Sequence, residues 1–237
     1  MTDTITPPVP ERKPLRQVVL KLLLTTAYFW IPMMLFLWLA DKIHDQEPLF
    51  GDVAILQAIH SIANPLLDSI AVAVTHLGSA PTVVAGVLLA SGLLAYKHRK
   101  RQALFLLFCA GGTAAINVIF KLIFQRERPS LWTHIVTENS YSFPSGHAMI
   151  SSALALSVII LCWHTRFRWI ALVASCLYFL LVSGSRLYLG VHFPSDVIGG
   201  WCVSVFWVLT VHHIFARFGR KQPTTEHSMQ KSGGISK

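Results

Sequence analysis

The sequence predicts an all-α, polytopic membrane protein with six transmembrane helices and a short interfacial helical segment between the first and the second. Three observations carry that prediction. Of the 237 residues 53% are hydrophobic and 13% charged, with a mean hydropathy of +0.54, a balance that soluble globules do not show. The apolar residues gather into runs of bilayer-spanning length. The basic residues sit in short clusters between those runs, as topology determinants do, so the formal net charge of +9 speaks for membrane orientation and excludes nucleic acid as a partner.

Residues 1–17 contain Pro7, Pro8, Pro10 and Pro14 with Glu11, Arg12, Lys13 and Arg16 and no apolar periodicity, the composition of a disordered cytoplasmic tail. Val18 to Ala40 is the first run that can span, with Lys21 near its start and Trp30 and Trp38 along it. Its length and the lack of a small-residue cleavage pattern make it an anchor. Residues 41–68 form a polar connection in which Val53, Leu56, Ile59 and Ile62 place one apolar stripe on a short helix. That helix is expected on the membrane surface, broken at Asn64-Pro65. The run 70–96 is interrupted by His76, Gly78, Ser79 and Pro81, so its spanning part is expected to begin near Pro81.

After the basic cluster at 97–101 comes a run from Ala103 to Phe124 with Gly111, Gly112 and Asn117, residues suited to close helix packing. Residues 125–143 are polar. Apolar runs follow over 145–163, 169–185 and 194–218, completing a membrane domain of 18–218, and residues 219–237 read as a flexible cytoplasmic tail. Cys109, Cys162, Cys176 and Cys202 all fall inside apolar runs, which indicates neither a disulfide framework nor a metal site.

Six spans with the N-terminus in the cytoplasm put fifteen of the twenty Lys and Arg on one side. That asymmetry is what the positive-inside rule asks of the cytoplasmic face, so both termini are expected there. The remaining five are Lys42, Lys121, Arg126, Arg128 and Arg186.

Those exceptions mark the chemistry. Ser183 to Asp196 sets Arg186, His192 and Asp196 together where one apolar run ends and the next begins, which is costly unless functional. Pro194 favours a helix start, so Asp196 falls in a first turn, where its carboxylate can take a proton from one imidazole nitrogen of His192 and leave the other free as a base or nucleophile. A plainer reading of the same residues is a helix-dipole carboxylate, a snorkelling arginine and a polar loop histidine. Two further stretches lie on the same outer side. Lys121 precedes Arg128-Pro129 by about two helical turns, and Arg suits phosphate because its fork makes paired hydrogen bonds. In Pro144-Ser145-Gly146-His147 the proline fits a helix start, Ser145 a cap, and Gly146 a close backbone approach to an anion.

Lys121-x6-Arg128-Pro129, Pro144-Ser145-Gly146-His147 and Ser185-Arg186-x5-His192-x3-Asp196 resemble the three signature motifs of the type-2 phosphatidic acid phosphatase superfamily, which also includes vanadium haloperoxidases and glucose-6-phosphatase. All three match without a substitution. The resemblance implies that Lys121, Arg128 and Arg186 hold a phosphate with Ser145 and Gly146. It implies further that His192 attacks phosphorus, Asp196 orients it, and His147 protonates the leaving oxygen. Three cations can stabilise the charge of such a transition state without a metal. No acidic cluster suited to magnesium lies near the motifs, so neither metal nor other cofactor is expected.

A site at span ends beside a surface helix favours an amphiphile, a phospholipid or polyprenyl phosphate or diphosphate, processed at the outer face of the cell membrane. Two other functions use the same residues. A lipid phosphotransferase would pass the phosphoryl group of the phosphohistidine to an acceptor lipid. A transporter or structural protein would use the charges as a relay or lock, although transport charges belong near mid-bilayer and these cluster at span ends.

Overall fold

Eight helices follow one another in the described residues of the computed structural model, 15–45, 49 and 51–218: α1 (Leu15–His44), α2 (Asp52–His60), α3 (Pro65–His76), α4 (Ala80–Tyr96), α5 (Lys100–Phe124), α6 (Gly146–Cys162), α7 (Arg168–Tyr188) and α8 (Pro194–Phe218). Among those residues there is no strand. By length and hydropathy α5, α7 and α8 can cross a membrane, and α3 with α4, bent by 45° at a short break, makes a fourth candidate. These account for three to four of the six expected spans. The apolar α6 is shorter, at 17 residues, and α1 runs for 30. The expected tails fall outside the described residues, except that α1 begins at Leu15, inside the stretch read as tail.

Local chemistry sets the boundaries. At the expected break, the Asn64 side chain accepts hydrogen bonds from the Leu66 and Leu67 N–H groups at 3.1 and 3.0 Å, with Pro65 at the first helical position, so the break is also a capped helix start. Gly78 lies in the bend between α3 and α4. A Cβ there would stand 2.5 Å from Val182 Cγ1 and 3.0 Å from His147 Cδ2, so the missing side chain lets α6 and α7 approach the bend. Helix α5 ends on Gln125 in the left-handed region.

Two expectations need correction. The Phe143–Pro144 peptide is cis and Pro144 precedes the cap. Ser145 is the N-cap of α6, its hydroxyl accepting from the Ala148 N–H at 3.5 Å, and Gly146 is the first helical residue. Helix α7 runs one turn past Ser185, so Arg186 is part of the helix. The turn then closes through Gly190 at φ +70°, packed against Trp132. Pro194 does open α8, with Asp196 in its first turn.

Helix α6 packs on α5, α7 and α8, while α1 lies on α8, α4 on α5 and α3 on α7. Small buried residues of α6, among them Ala148, Ser152 and Ala155, permit that crowding. Phe143, fully buried, stacks on Phe36 at 5.7 Å within a cluster that includes Met149 and Val203. This anchors the polar 125–143 segment over the ends of α5, α6 and α8.

Candidate active site

His192 lies in the short connection between α7 and α8, 1% exposed, and Asp196 lies one turn further on, fully buried. Nδ1 of the imidazole is 3.4 Å from Asp196 Oδ2, while Arg128 Nη1 stands 3.2 Å from Nε2. A guanidinium only donates, so Nε2 is the unprotonated nitrogen and the proton is on Nδ1, facing the carboxylate. Burial pulls the His192 pKa down to about 4; the hydrogen bond and charge of Asp196 pull the other way, and Arg128 and Arg186 add to the lowering. The resting imidazole is therefore neutral at neutral pH, with its lone pair on the side of the arginines.

Cations converge on that side. Lys121, in the last turn of α5, donates to Ser140 Oγ at 2.8 Å. The helix ends before Arg128, so the two expected helical turns between them do not form. The loop nonetheless folds back, and Arg128 Nε donates to Ser140 O at 2.8 Å and Nη1 to Val191 O at 2.7 Å. Arg186, 1% exposed, donates to Thr75 Oγ1 of α3 at 2.7 Å and to Glu138, and its buried Nε has no partner among the described residues. Glu138 also stands 3.6 Å from Arg128. Burial works to raise the Glu138 pKa, yet the charges of Arg186 and Arg128 hold it below the ordinary carboxylate range. Burial lowers the Arg128 pKa, and Glu138 opposes that shift.

Lys121, Glu138, Ser140, Gly146 and His147 form the polar end of a cavity of about 510 Å³. Its other end is apolar and runs between α4 and α5, past Val84, Leu88, Leu107 and Val118. Ser145 turns its hydroxyl into its helix cap, while Asn117 donates to Pro144 O at 3.0 Å and holds the loop at the start of α6.

Sequence reasoning missed a second group. Ser142 donates to Asp196 Oδ2, and the Phe193 N–H donates to the same oxygen at 2.8 Å. Arg126 Nη1 reaches Asp196 Oδ1 at 2.5 Å, and Nη2 reaches Asp52 Oδ2 of α2 at 3.0 Å. The expected surface helix thus has a buried acidic start: Asp52 and Leu56 are buried, whereas Val53 is 43% exposed. Arg126 was visible only as one of the few basic residues on the outer side, inside the spacer between Lys121 and Arg128. Nothing in the sequence singled out Glu138 or Ser142.

A family model described as the PAP2 superfamily matches residues 102–220. The chain is 31% identical over 179 residues to phosphatidylglycerophosphatase B of Bacillus subtilis, covering 73% of this chain and 87% of that protein. It is 27% identical over 182 residues to the undecaprenyl-diphosphatase of Sulfolobus acidocaldarius, covering 73% and 84%. The crystal structure of the transmembrane PAP2-type phosphatidylglycerolphosphate phosphatase from Bacillus subtilis superposes with a TM-score of 0.73 at 28% identity, covering 83% of this chain and all of that one.

Proposed function

The chain belongs to the PAP2 superfamily and is a phosphatase, and from that premise we propose that it removes the terminal phosphate of a membrane lipid through a phosphohistidine on His192. One observation carries the substrate class. The cavity joins a polar end, where Lys121, Glu138 and His147 lie, to an apolar end between α4 and α5, and Glu138 ties that end to Arg128 and Arg186, which suits a phosphate headgroup with its tail lying along the helices. The relatives named for phosphatidylglycerophosphate and undecaprenyl diphosphate fall in that class.

The phosphate sits on Lys121, Arg128 and Arg186, taking the place of the Glu138 carboxylate and supplying a partner for the buried Arg186 Nε. Gly146 presents backbone at the start of α6, where the helix dipole favours an anion. The neutral Nε2 of His192 attacks phosphorus, and a P–N bond forms as the P–O bond to the lipid breaks. The three cations hold the equatorial oxygens, and His147 gives a proton to the departing oxygen. Asp196 stabilises the positive charge that His192 acquires. Water then breaks the P–N bond, with His147 as base, releasing phosphate and neutral His192. The reading needs no metal.

Phosphate release by the detergent-purified protein tests this, across phosphatidylglycerophosphate, phosphatidate, undecaprenyl diphosphate and glucose 6-phosphate, with and without EDTA. Activity on at least one lipid well above the sugar phosphate, untouched by EDTA, is expected. Silence on every lipid, or loss on chelation, refutes it. The charge asymmetry supports six spans, cytoplasmic termini and a site on the outer face. A cysteine at Ser130 should then react with an impermeant thiol reagent in intact cells or spheroplasts, and labelling only after lysis would put the site inside.

A further inference from the structure

We propose that Arg126 is a positioning residue for the reaction: it fixes the carboxylate of Asp196, and Asp52 of α2 fixes Arg126 in turn. This rests on the reading of His192 as nucleophile. Asp196 divides its oxygens between two tasks. Oδ2 receives the Ser142 hydroxyl and the Phe193 N–H and faces Nδ1 of His192. Oδ1 is taken by Arg126 Nη1 at 2.5 Å, a charged donor. The terminal torsion of a carboxylate is soft, and neutral donors on one oxygen leave a fully buried anion free to rotate. A charged donor on the other oxygen fixes the plane and keeps the group ionised.

Arg126 is itself immobilised. Nη2 reaches Asp52 Oδ2 at 3.0 Å, Nη1 also donates to Ser195 Oγ at 2.7 Å, and the guanidinium lies over the Phe193 ring at 4.3 Å. Asp52 then closes the frame by accepting from the Ser195 N–H at 3.0 Å and the Ser195 hydroxyl at 2.5 Å. The start of α8, which carries Asp196, is thereby tied to α2 by the same carboxylate that holds Arg126. Both Nη atoms of Arg126 are spent on Asp196, Ser195 and Asp52, and it meets Asp196 through the oxygen that does not face His192, so it acts on the alignment of His192 and not on the phosphate. A lysine keeps the charge and loses the fork that spans two carboxylates.

The experiment measures single-turnover formation of phosphoenzyme from radiolabelled phosphatidate, alongside inhibition by orthovanadate, for the wild type, R126Q, R126K and D52N. R126Q should form phosphoenzyme about 10²-fold more slowly, and R126K and D52N about tenfold more slowly, the scale set by small misalignments of a nucleophile. Vanadate inhibition should stay within about twofold of wild type, since the anion site is untouched, and R126K combined with D52N should be less damaging than two independent losses. Wild-type rates of formation in R126Q and D52N overturn the proposal. So does a parallel loss of vanadate affinity, which would move Arg126 into the anion site. Should R126Q fail to fold, R126K and D52N decide, because normal formation rates in both refute the frame. A wild type that yields no phosphoenzyme refutes the nucleophile reading itself, an outcome distinct from a labelled wild type that R126Q matches.

Discussion

Arg126 and Arg128 are two residues apart in one irregular loop, yet they serve opposite sides of His192. Arg128 touches Nε2 and shares Ser140 with Lys121, whereas Arg126 reaches past the imidazole to Asp196 and Asp52. Both are partly buried, and both are paired with carboxylates. The difference lies in what pairs with them. Glu138 on Arg128 and Arg186 is 26% exposed, and in the proposed reaction the substrate phosphate takes its place. Asp52 and Asp196 are buried and tied to α2 and α8. In the proposed reaction the first set of ion pairs is exchanged for substrate, and the second stays in place to align His192.

The largest separation of the two sides comes from His147, on the binding side. His147→Ala should lose about 10³-fold in turnover of a lipid substrate, whose alkoxide needs a proton, and far less in the first step with an activated aryl phosphate. An equal loss on both substrates would deny it the role of acid. Next come Arg128→Lys and Arg186→Lys, each expected to cost about 10²-fold in kcat/KM because the charge stays and the fork goes. Near-normal kinetics in both would make these arginines structural. On the alignment side, Ser142→Ala removes one donor from Asp196 Oδ2 and should cost about tenfold in kcat with KM unchanged; a raised KM would erase the distinction. The subtlest test is a titration. Burial holds the resting His192 pKa at about 4, so the imidazole takes its proton only as pH falls through that value. Its NMR resonance, identified by absence in His192→Gln, should stay in the neutral form down to about pH 5. A midpoint near the ordinary imidazole value would mean the site is wetter than its geometry implies.

Much of this was legible in the sequence because the relevant signals are local. Pro194 and Asp196 mark the start of α8, Asn64-Pro65 marks that of α3, and Ser145 caps α6. The motifs singled out Lys121, Arg128, His147, Arg186 and His192, although the helical spacing expected between Lys121 and Arg128 does not form. The fixed network was not legible, since the hydrogen bonds of Arg126 and Asp52 join residues 69 to 143 positions apart and its members carry no periodicity. Asp52 reads as an ordinary acidic residue in the first turn of an amphipathic helix, and only the packed fold turns it inward. Glu138, Ser140 and Ser142 belong to a segment without regular structure, where polarity alone does not say which side chains fold onto the site. The extent of α6 was legible from the run 145–163, and the break before α4 from His76, Gly78, Ser79 and Pro81; the 45° bend at that break was not, because it depends on how α6 and α7 pack against Gly78.

In the proposed reaction His192 carries the phosphate covalently while His147 moves the proton. This division of roles is tested most directly by incubating His147→Ala and His192→Ala with a radiolabelled activated aryl phosphate and counting acid-labile, base-stable phosphate on the protein. His147→Ala should release a burst of phenol and accumulate label, because the base that activates water is gone, and His192→Ala should show neither. Label and burst in His192→Ala with none in His147→Ala would exchange the two roles, and no label in the wild type or either variant would mean that water attacks phosphorus directly.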